Sequence, residues 1–228
     1  NDNFFSLSNF RYYGVRDDLP LTFTRAWDGA PLGIDYVVLK TGDLGPDATE
    51  ERPRRVTERF ATDPHLARVF PVIGEFELPD GSVATVRARR LLEAVRAAPE
   101  DVAREIERAI RRELSTVARD VEGLDVALAW DDTIRRGRLR RVELVAKQAT
   151  VGELERRGTA VLRLHDARLV AEEVLFNPFS LMADERLDLL DLGRIRVERA
   201  TFTAGDFREF LGRVRRLRHT TIELGDGF

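Results

Sequence analysis

The sequence predicts an α+β protein in which a curved antiparallel sheet packs on a long amphipathic helix, preceded by a smaller α+β unit. Three observations lead there. Val102, Ile106, Ala109, Ile110, Leu114, Val117 and Val121 recur at three- and four-residue spacing with Arg and Glu between them, which is one buried helical stripe. After Gly123 the period changes to two, placing Leu124, Val126, Leu128 and Trp130 on one face of a strand. Helix and strands then come in blocks rather than alternating, an order that favours antiparallel over parallel pairing.

Residues 1–92 make the first unit. Asn1 to Val15 is rich in Phe, Tyr and Asn and lacks a helical period. Ile34–Leu39 is a compact β-branched and aromatic run that reads as a buried strand. Gly42–Asp47 reads as a loop, and Thr49 with Glu50 and Glu51 opens a helix reaching Val56 and Phe60. Asp63-Pro64 restarts a turn or helix carrying Leu66, Val69 and Phe70. Gly74–Leu78 and Val83–Arg87 flank Pro79-Asp80-Gly81-Ser82, a hairpin signal in which Asp-Gly supplies the positive φ of a tight turn.

The second unit, residues 93–228, opens with Pro99 as a first helical residue and Glu100 and Asp101 at the positive end of the helix dipole. The helical period predicts that this helix runs on to Gly123. Strands follow at 124–130, at Leu139–Ala146 after a turn near Gly137, at Ala160–Leu164, at 167–174, at 187–192, and around Ile195 and Val197. Thr203 and Asp206 have capping-box spacing, with Asp in place of the usual Glu, and start a helix bearing Phe207, Phe210, Leu211 and Val214 on one face. Ile222 and Leu224 read as a last strand. The chain begins at Asn1 and stops in the turn-like Gly225–Phe228, which suggests a piece of a longer protein.

With 228 residues, 43% hydrophobic and 34% charged, the chain can bury a real core and does not read as disordered. The formal charge is -3 and neither half is strongly basic, so no nucleic-acid partner is expected. The Arg135–Arg141 cluster is diluted by nearby acids and reads as a solvated face. Lys40 and Lys147 are the only lysines, an arginine bias that fits a GC-rich bacterial genome. The absence of cysteine excludes disulfides, zinc–thiolate sites and thiol nucleophiles. No run of about 18 apolar residues is present to span a bilayer.

No residue set points to catalysis. His65, His165 and His219 sit in unrelated contexts without ligand spacing, and Gly-x-Ser-x-Gly, Walker and Gly-x-Gly-x-x-Gly patterns are absent. No catalytic residue, metal or cofactor is therefore expected. Asp131-Asp132 after Trp130 offers a cation or sugar site, or more ordinarily a strand-end turn. Trp27 and Trp130 are the stacking candidates if the chain is a carbohydrate- or protein-binding module.

One segment is apolar where a connection should be polar: Leu175-Phe176-Asn177-Pro178-Phe179-Ser180-Leu181-Met182. It suits the protein's own core. The functional reading is a cavity for an acyl or prenyl chain, lined by Leu175, Phe176, Phe179, Leu181 and Met182, with Phe207 and Phe210 from the later helix. Each buried methylene contributes roughly 0.8 kcal/mol, so ten carbons supply on the order of 8 kcal/mol before association costs.

Arg138–Leu144, Ala167–Val170, Arg196–Phe207 and Ile222–Gly227 give this region a resemblance to LmeA-type phospholipid-binding domains of bacteria. The resemblance implies an extracytoplasmic domain that binds phospholipid or polyprenyl-phosphate lipid without a cofactor. It brings no catalytic residue. In the first unit, Asp35–Leu39, Asp63–Phe70 and Leu78–Ser82 leading to Arg87 resemble the extracytoplasmic tail of ArnT-like or protein-mannosyltransferase-like membrane glycosyltransferases. Together these imply a non-catalytic accessory segment at the outer face of a bacterial cell membrane, anchored through the rest of a parent chain, that holds or presents a lipid or lipid-linked substrate.

Overall fold

The computed structural model describes residues 6–24, 33–42, 47–152 and 161–213. The chain divides into two compact units, Asn1–Leu92 and Glu93–Phe228. Both combine helices with antiparallel sheet, so the fold is α+β.

In the first unit, β1 (Tyr36–Lys40), β2 (Val72–Glu77) and β3 (Val83–Ala88) form a sheet of order β1-β3-β2, all pairs antiparallel. The helices are α1 (Leu7–Arg16), α2 (Asp47–Thr62) and α3 (Pro64–Val69). Asp63 caps α3 by accepting from the His65 and Leu66 amides, and Pro64 occupies the first turn, where no amide donor is needed. The core gathers Phe60, Leu66, Val69 and Phe70, with the Phe60 and Phe70 rings edge-on at 5.7 Å. The hairpin falls where Asp80-Gly81 places it, with Gly81 at φ 77°.

Two expectations change here. The stretch before Val15 contains a helix, α1, capped by the Ser6 side chain. Its period is hidden because only Gly14 is buried, where the bare Cα admits the edge of Phe23. The Ile34–Leu39 run gives an edge strand whose outer face, Tyr36 and Val38, meets solvent; Val37 is the residue that is buried.

At the hairpin turn Asp80 accepts from the Ser82 amide and hydroxyl and pairs with the buried Lys40 ammonium at 2.7 Å. Lys40, then Ser82, hold the Asp80 carboxyl far below the usual range. A depressed carboxylate stabilises the fold fully above its unfolded pKa, about 3.9, and the contribution is lost as pH falls through the folded value. Thermal melting at pH 5 and pH 2.5 should therefore show an acid-induced loss that is smaller in Asp80→Asn; an identical loss in both proteins contradicts this assignment.

The second unit opens with α4 (Pro99–Val117), which buries Val102, Ala103, Ile106, Ala109 and Ile110. It then enters β4 (Ala118–Glu122) rather than continuing to Gly123. Asp120 takes a left-handed backbone (φ 51°), and Ala118 and Arg119 pair with Val151 and Thr150. Val121 therefore matches the helical period while lying in a strand. After β5 (Asp125–Ala129) and a 3-10 helix (Asp132–Arg136), three long strands follow: β6 (Arg138–Gly152), β7 (Val161–Phe176) and β8 (Leu189–Thr201). The sheet order is β4-β6-β7-β8, with β5 also paired to β6. The 161–164 and 167–174 segments are one strand, as are 189–192 and 195–197. Positive φ at Asp166 (46°), between the two pieces, breaks the alternation, which is why β7 reads as two strands in the sequence. Between β7 and β8 lies α5 (Pro178–Asp184), and α6 (Ala204–Arg213) follows β8. The capping box forms reciprocally: Asp206 N donates to Thr203 Oγ1 at 3.0 Å, and Thr203 N donates to Asp206 Oδ2 at 3.2 Å. The expected strand at Ile222 and Leu224 lies outside the described residues, as do Leu211 and Val214 as side chains.

Candidate functional site

The apolar segment at the end of β7 is a capped helix packed into the core. Asn177 Oδ1 accepts from the amides of Phe179 (3.0 Å) and Ser180 (3.4 Å), and Pro178 fills the first helical position. Ser180 Oγ donates to the Asn177 and Arg186 carbonyls. Phe176, Asn177, Ser180 and Leu181 have no accessible surface and Phe179 is buried, while α5 packs on α4 and the 3-10 helix. Of the expected cavity-lining residues, Leu175 is half-buried and Met182 is exposed at the end of the group. The segment's apolar character is thus spent on the protein's own packing, and no surface of Phe176 or Leu181 remains for a ligand.

Phe207 and Phe210 do not join them. They lie on α6, which packs on β7 near Arg163 and His165, whose side chains approach Asp206 at 3.8 Å and 3.5 Å. From His165 to Phe176 is eleven residues along an extended strand, about 35 Å at 3.3 Å per residue. Phe202, Phe207 and Phe210 instead form a row of stacked rings, with centroids 5.1 Å and 6.4 Å apart. The Thr203 hydroxyl, more than His165, lowers the Asp206 carboxyl below its ordinary value, so the cap is ionised at neutral pH.

Apolar surface is exposed elsewhere, along β8. Register places Val142 opposite Ala171 and Ala171 opposite Ile195; one step along, Leu144 faces Leu169 and Leu169 faces Val197. All share one side of the sheet. Val142 and Ala171 are buried and Leu144 and Leu169 half-buried, whereas Ile195 is 53% and Val197 63% exposed. An apolar strip therefore runs out of the core onto the last described strand.

The alternate residues carry a lattice of charge. Arg168 contacts Glu143 at 2.8 Å and Glu198 at 3.2 Å, Arg141 reaches Glu143 at 3.0 Å, and Arg196 reaches Glu172 at 2.7 Å. Arg168 in particular lowers the Glu143 carboxyl, and Glu143 raises the Arg168 guanidinium in return. Val170 lies at the centre of this lattice, between Arg168 and Glu172 along β7 and paired with Glu143 and Arg196 across it. It is fully buried because the aliphatic stems of those side chains cover it. At one end, Arg140, Arg141, Glu172, Glu173, Gly193 and Arg194 surround a cleft of about 360 Å³. Sequence reading misses both features. The alternation of Arg194, Arg196 and Glu198 with Ile195 and Val197 is visible, but its meaning depends on which strands stand beside it.

The remaining candidates are plainer. Trp130 is 36% exposed at the end of β5. Asp131 caps the 3-10 helix, accepting from Thr133 N at 2.9 Å and Thr133 Oγ1 at 2.6 Å, and pairs with Arg140. Thr133 chiefly holds that carboxyl below its usual range. This is the strand-end turn. Trp27 and His219 lie outside the described residues. Among the described residues no group of three or more His, Asp or Glu side chains is placed to hold a metal ion, and no helix is long and apolar enough to cross a membrane.

The fold and site define an α+β domain with a long antiparallel sheet, one face ionic and the other carrying an exposed apolar strip. No protein-family profile, curated protein or solved structure matches the chain.

Proposed function

We propose that residues 93–228 form a non-catalytic domain that binds a lipid, a phospholipid or polyprenyl phosphate, and that the apolar strip on β8 is where the hydrocarbon chain lies. The observation that carries this reading is the continuity of exposed Ile195 and Val197 with Leu169 and Leu144 on one side of the sheet. Exposed apolar side chains that run together, rather than singly, mark a surface for an apolar partner. The strip takes over the role the sequence suggested for 175–182, because those side chains are consumed by the core. The resemblance of Arg138–Leu144 and Arg196–Phe207 to phospholipid-binding domains supports the same ligand class. On the resemblance of the first unit, the domain serves a polyprenyl-phosphate-sugar-dependent membrane glycosyltransferase at the extracytoplasmic face of a bacterial membrane.

Native mass spectrometry after incubation with phospholipid or polyprenyl phosphate, without detergent, tests the reading. The wild-type chain should retain lipid, and Ile195→Glu/Val197→Glu should lose at least about tenfold in uptake, since two buried apolar contacts are worth about 1.5–3 kcal/mol each. Both positions are more than half exposed, so the melting temperature should hold. No uptake by wild type, or equal uptake by the variant, rejects the reading. A tryptophan-fluorescence response to glycan without one to lipid would instead favour a carbohydrate-binding module using Trp130.

A further inference from the structure

We draw no further inference here: the strongest candidate, the open face of the first unit's three-stranded sheet, where Tyr36, Val38 and Phe76 lie exposed on the side they share with Val86, carries nothing because nothing in the structure shows what covers it.

Discussion

Phe176→Ala is expected to lower the unfolding free energy of the second unit by about 3–5 kcal/mol, the usual cost of removing a wholly buried ring. Phe176 has no accessible surface, and the α5 helix that begins two residues later is locked by Asn177 and Pro178. A shift in the urea midpoint without a change in the dependence on denaturant would measure it. The experiment separates two uses of the same apolar segment. A side chain lining a ligand cavity can be shortened with little effect on the empty protein and a large effect on uptake. A core side chain behaves in the reverse order, and lipid uptake normalised to the folded fraction should be nearly unchanged in Phe176→Ala. A stable variant that no longer takes up lipid would return the binding site to residues 175–182.

Gly137→Ala is the second large effect. Gly137 ends the 3-10 helix at φ 76°, its amide donates to the Ile134 carbonyl, and its carbonyl accepts from Phe176 N at 2.8 Å. A Cβ at this position would collide with the Phe176 carbonyl oxygen and press within 3.0 Å of Pro178 Cδ. The left-handed backbone alone costs an alanine about 1–3 kcal/mol, and the collision adds to it because the obstacle is main chain held in β7. The variant should therefore accumulate as misfolded or protease-sensitive protein, read by limited proteolysis and circular dichroism. Gly81→Ala is the comparison: it has the same sign of φ but nothing within 4 Å of the new methyl group, so it should remain folded. Equal tolerance at both positions would show that the approach of Phe176 to Gly137 is not a constraint.

The features legible from sequence are those written in neighbouring residues. The Pro99 start, the stripe from Val102 to Ile110, the Asp80-Gly81 hairpin and the Thr203–Asp206 box each need only a few positions, and each stands where the pattern puts it. Boundaries set by partners in space are not legible in that way. Val121 continues the helical spacing of α4, yet pairing of 118–122 with β6 takes those residues into a strand. The 175–182 segment carried a readable start signal, Asn177-Pro178, an N-cap followed by a first-turn proline, that its apolar content obscured. The cleft was beyond reach, because Arg140, Glu173 and Gly193 come from three strands and meet only through the register of β6, β7 and β8.

That register has one more effect. Among the described residues β8 is the outermost strand of its sheet, thirteen residues long, and both its sides meet solvent for most of that length. A rim of this kind, bearing Ile195 and Val197, invites a second molecule to zip onto it and grow into fibrils. Arg194, Arg196 and Arg199 stud the same rim, so two such strands brought edge to edge would set like charges against each other. Charge on the rim thus opposes edge-to-edge growth at the registers that bring those arginines together.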